Sequence, residues 1–179
     1  MRTELLRGTA LTAAATMAVA GPVMLFNDSE EWAARWAPLA EYVRVLLIVL
    51  VPVAVAAGAW QAGRERRRRT GEQLATSPRP DWQPVLVAWG SVTLGTWAGL
   101  LLTWLTGATL VGPVATYAGR GWWWTLAVAY VAVAAGTALG VAAGRLIPGR
   151  LVAPLAGVLA YVGLGTLTYA DTGGGWLWL

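Results

Sequence analysis

The chain alternates between long apolar runs and short polar intervals. Apolar blocks cover about 8–26, 39–60, 84–105, 122–144 and 151–169. Each is close to the roughly 20 residues that a helix needs to cross a hydrocarbon core. None shows the strict alternation over about 10 residues that a transmembrane barrel strand requires. The pattern predicts an all-α, polytopic helical membrane protein: one transmembrane domain over 1–179 with about five spans.

The polar intervals set the orientation. Arg2 and Arg7 precede the first block, a run of arginines opens the interval 61–83, and Arg145 and Arg150 bracket Pro148 and Gly149. The other two intervals carry only Arg35 and Arg120, with Arg44 at the outer end of the second block. Loops rich in arginine face the cytoplasm. The N-terminus, 61–83 and the 145–150 turn are therefore expected inside, and the C-terminus outside. The first block also reads as a signal peptide, with a basic start and an Ala18-Val19-Ala20 site of A-x-A type. Either reading leaves the downstream topology unchanged.

Within the blocks, spacing suggests packing. Gly95 and Gly99 form a small-xxx-small pair in the third block, and Gly136, Gly140 and Gly144 form a double one in the fourth. Such ridges let backbones approach closely, within one subunit or across a dimer. Trp82, Trp89, Trp97 and Trp104 recur about every two helical turns and share one stripe. Trp89, Trp97 and Trp104 are candidates to border a path for an apolar or aromatic substrate, with packing or lipid contact as the plainer alternative. Trp32 and Trp36 would share a face of a short interfacial helix in the acidic interval 27–38, and Trp122, Trp123 and Trp124 would anchor the fourth span at the interface. Glu41 and Arg44, three apart, form a self-neutralising pair near the outer end of the second span. Pro52 is a candidate kink.

Composition agrees and narrows the chemistry. Of 179 residues, 57% are hydrophobic and 12% charged, against about 25% charged in soluble domains. There is no Cys or His, which removes thiolate and imidazole metal sites and the histidine-based catalytic triads. All 13 basic residues are Arg, so no P-loop lysine is present to reach a nucleotide phosphate. Asp28, Asp81 and Asp171 fall outside the predicted spans and Ser91 has no evident base, so no intramembrane enzyme is expected. The formal charge of +4 lies mostly between spans, where lipid phosphates or a partner protein, and not nucleic acid, are the expected contacts.

The interval 61–83 reads QAGRERRRRTGEQLATSPRPDWQ. Five arginines, Arg64, Arg66, Arg67, Arg68 and Arg69, would suffice to orient the membrane domain. The following dozen polar residues, with Glu72, Leu74, Ser77, Pro78 and Arg79, exceed that need. This order resembles the cytoplasmic loop between the second and third spans of type-two ABC transporter permeases: arginines, then Gly-Thr (here inverted as Thr70-Gly71), Glu, Leu, a Thr/Ser-Pro pair and a basic residue. The Lys-free, Ala/Gly/Arg-rich style resembles actinobacterial members. The resemblance implies a six-span fold of which this chain supplies five, as a portion of a longer protein or with a partner completing it. It also implies that Arg64, Arg66 to Arg69, Glu72, Leu74, Ser77, Pro78 and Arg79 form a coupling loop docking on a separate ATPase subunit that holds ATP and Mg. A second permease copy or a related subunit, a bacterial cytoplasmic membrane and an export function are implied with it. The alternative is a non-transport scaffold or accessory subunit held by its glycine ridges and tryptophan anchors.

Overall fold

The computed structural model describes residues 9–27, 32, 35–67, 82–115 and 120–174, with side chains for all of these except 9, 65–67 and 168–174. Five long helices follow one another: α1 (Thr9–Asn27), α2 (Trp36–Arg67), α3 (Trp82–Val111), α4 (Trp122–Leu146) and α5 (Val152–Gly174). No strand occurs among the described residues. Four helices contain stretches long and apolar enough to cross a membrane: Ala10–Asn27, Leu47–Arg64, Trp82–Val111 and Trp122–Leu146. The apolar stretch described in α5, Val152–Leu167, is shorter.

Three helices clearly overrun the predicted blocks at their C-terminal ends. At 32 residues, α2 is about 48 Å long, well beyond a hydrocarbon core of about 30 Å. Its extra turns include residues 61–67, which the sequence reading gives to a loop. Gln, Ala, Arg and Glu are good helix formers, and cations at a helix C-terminus complement its dipole. α3 runs past the expected end at 105 to Val111, and α5 continues through Asp171 to Gly174. Asp171, expected beyond the last span, therefore lies within α5, as do Gly173 and Gly174. No proline after Pro154 interrupts it.

α2 is the centre of the bundle and touches each of the other four helices. The closest packing joins helices that are not consecutive. On α3, a Cβ placed on Gly95 would lie 2.6 Å from the Ala10 carbonyl oxygen, and one on Gly99 would lie 2.6 Å from Met17 Cβ. Gly107 faces Leu25 of α1 and Leu39 of α2, and Gly21 of α1 faces Thr103. Contacts advance together along both helices, so α1 and α3 are parallel. The same holds for α2 and α4: Gly136 meets Val51, Gly140 meets Val55 O, and Gly144 meets Ala59 O. In both pairs, the absence of side chains lets backbone approach backbone. α5 leans on α2, where a Cβ on Gly157 would lie 3.1 Å from Ala56 Cβ.

Several threonines are buried with these helices and bond within their own. The hydroxyls of Thr96, Thr103 and Thr137 donate to the carbonyls of Val92, Gly99 and Val133, four residues earlier, at 3.0, 3.0 and 2.8 Å. Hydroxyls satisfied in this way can sit in an apolar interior without partners on a neighbouring helix.

Candidate functional site

Of the tryptophans predicted to share a stripe on α3, Trp89, Trp97 and Trp104 face α4, while Trp82 at the start of the helix is exposed. The Trp89 indole N–H donates to the Ala134 carbonyl and that of Trp97 to the Tyr130 carbonyl, each at 3.0 Å. Trp97 also meets the Tyr130 ring edge-on at 5.6 Å between centroids. A carbonyl inside a helix has a second lone pair after its intrahelical bond, so α4 accepts both indoles without breaking its own ladder. The two acceptors are four residues apart and their donors eight, in opposite order, as antiparallel α3 and α4 require. Trp97→Phe keeps the ring contact and removes one such bond. It is expected to lower unfolding free energy in detergent by about 1 kcal/mol, and no change would show the bond does not hold the seam.

Further along the stripe, Trp104 leaves the α3–α4 backbone contacts and joins an aromatic stack. Its ring lies 5.2 Å from Trp122, with 16° between planes, and 5.9 Å from Trp36. Trp36 lies 5.7 Å from Trp122. The triad therefore clamps the starts of α2 and α4 to the last turns of α3. Two interfacial assignments change as a result. Trp122 is half-buried in the stack, while Trp123 and Trp124 are exposed and stacked on each other at 4.3 Å. Gly121, at φ 89°, provides the left-handed backbone from which α4 starts. Trp32 is 1% exposed, in the core and not on the surface.

The reason for Trp32's burial lies at the end of α1. The last carbonyls of a helix lack intrahelical donors. The Trp32 indole donates to Leu25 O at 3.0 Å, and the Tyr42 hydroxyl donates to Met24 O at 3.2 Å. Sequence offers no signal for this, because the acceptors are backbone atoms. Glu41 and Arg44 form their pair at 3.5 Å, both well exposed, at the opposite end of α2 from the arginine run.

Of the coupling-loop residues, Arg64, Arg66 and Arg67 lie in α2, with Arg64 half-buried. Arg68, Arg69, Glu72, Leu74, Ser77, Pro78 and Arg79 lie outside the described residues. Gly95 and Gly99 face α1, and Gly136, Gly140 and Gly144 face α2. Among the described residues, no group of His, Cys, Asp or Glu could hold a metal ion.

No protein-family model, curated protein or solved structure matches the chain. The permease resemblance rests on the motif residues of 64–83, with the span pattern and the Lys-free composition beside them.

Proposed function

We propose that the chain is the membrane subunit of an ABC-type exporter in a bacterial cytoplasmic membrane, with its N-terminus inside and ATP hydrolysed by a separate subunit docked on the coupling loop 61–83. The observation that carries this reading is the continuity of α2. One unbroken helix runs from the tryptophan triad, past contacts with every other helix, out of the apolar region to Arg67, the residue before the polar stretch 68–81 in the sequence. A push on that segment would reach the whole bundle through one rigid element, as a coupling loop requires. Dimerisation with a second copy or a related permease would complete the transport path.

The test is a double substitution, Glu72→Ala with Leu74→Ala, in the full chain co-expressed with an ABC ATPase encoded beside it. Capture of the ATPase is expected to fall about tenfold or more, as for a docking hot spot, with membrane insertion unaffected. Undiminished capture would remove the coupling assignment.

A second reading, a non-transport scaffold or accessory subunit, is favoured by the use of Trp89 and Trp97 to bond α4. The stripe that would border a substrate path is engaged in helix packing. A gene neighbourhood without an ATP-binding cassette would favour the scaffold.

A further inference from the structure

The surface of α2 at its Trp36 end carries charge where neighbouring helices carry hydrocarbon. Glu41 and Arg44 form an ion pair at 3.5 Å with side chains 59% and 63% exposed. The apolar stretch of α2 itself begins at Leu47, but the register with α4 places the pair deeper. Val51, Val55 and Ala59 lie opposite Gly136, Gly140 and Gly144, and the same register sets Glu41 and Arg44 level with Leu126 and Ala129. Those residues lie inside the apolar helix Trp122–Leu146, about 6 and 10 Å from its first tryptophan at the helical rise.

Ionisable groups at such a depth face a bundle interior or a polar partner, and not acyl chains. α5 leaves this side of α2 open: Gly157 brings α5 against Pro52 and Ala56, whereas Val45, two turns before Pro52 on the same side, is exposed. The open face has a regular spacing. Ala37, Glu41, Arg44 and Ile48 recur at intervals of four, three and four, the seam along which two parallel helices pack. Ala37, Glu41 and Arg44 are exposed and Ile48 is half-buried. Two copies inserted in one orientation present this seam in parallel. A twofold axis then sets Glu41 of each beside the partner's Arg44, so one operation matches both charges. The pair has capacity for this. At 3.5 Å its contact is longer than a short charge-assisted hydrogen bond, and a guanidinium carries five donors.

We propose that α2 packs on α2 of a second copy of this chain along Ala37, Glu41, Arg44 and Ile48, each Glu41 shared between its own Arg44 and the partner's Arg44. This names the face by which a second copy docks in the exporter reading, but it rests on the membrane placement of the bundle and not on ATP coupling.

The chain has no Cys, so single cysteines report proximity. In the full chain, reconstituted at low density in phosphatidylcholine vesicles, A37C is expected to give a disulfide-linked dimer on mild oxidation. V131C, at an exposed position on α4, is the collision control and should cross-link only weakly. E41R and R44E, each added to A37C, should lower its cross-linking about tenfold or more, because like charges then meet across the seam. Mixed in one vesicle under different tags, the E41R and R44E chains should cross-link to each other as the parent does, since two arginines then face two glutamates. Equal cross-linking of V131C and A37C overturns the proposal, as does undiminished cross-linking in E41R and R44E. So does a mixture that fails to recover, because the pair would then act within one chain or on lipid headgroups alone. The Glu72/Leu74 variant should dimerise unchanged, so a dimer without ATPase capture rejects the exporter reading alone.

Discussion

Gly140→Leu is expected to destabilise the bundle by about 3 kcal/mol, at the upper end of overpacking effects. A Cβ at this position runs into the carbonyl of Val55 and approaches Ala59 N at 3.0 Å. Both obstacles are backbone and cannot rotate aside as a flexible side chain would. Relief requires α2 and α4 to separate, which also strips the contacts of Gly136 and Gly144. Gly163→Leu is the control, because a Cβ there meets nothing within 4 Å. Unfolding in mixed micelles should separate the two variants clearly, and equal stabilities would reject the α2–α4 pairing.

Trp104→Ala is expected to cost about 3–5 kcal/mol, the range for removing a large buried aromatic side chain. Trp104 is buried between Trp36 and Trp122. Its loss leaves a cavity where three helix ends meet, and the stacking energy, about 0.5–1.5 kcal/mol per aromatic pair, goes with it. The near-ultraviolet circular dichroism arising from stacked indoles should weaken in parallel. Trp123→Ala, at an exposed ring stacked on Trp124, should stay within about 0.5 kcal/mol of the parent. If the two substitutions cost the same, the triad does not clamp the helix ends.

The number and type of the long elements were legible because apolar runs of this length have few other uses. The ends were not: apolarity marks the part of a helix that suits hydrocarbon, while α2 and α3 continue on propensity and tertiary contact. Close approach at Gly95, Gly99, Gly136, Gly140 and Gly144 was legible, but not the partner. A small residue announces room for a neighbour without naming it, and the surfaces that fill that room on α1 and α2 are made by ordinary residues such as Ala10, Val55 and Ala59. The tryptophan stripe was legible from spacing. Its bonds to Ala134 and Tyr130 were not, since a main-chain acceptor leaves no mark on residue identity. Trp32 shows the reverse error: an indole in a polar interval reads as an interfacial anchor, yet here it closes the end of α1 and is buried for that reason.

The two parallel pairings also bear on the order in which the bundle can be assembled. Neighbours in the chain run antiparallel, so α1 cannot complete its glycine contacts until α3 has been made, nor α2 until α4 has been made. At about 5–20 residues per second of synthesis, the central helix spends seconds with its Val51, Val55 and Ala59 face unmatched. A ribosome stalled between α3 and α4 would hold a chain whose inner helix is open to any other groove of similar shape. The last-made partner, α4, thus decides whether the earlier helices settle into this bundle or pair elsewhere.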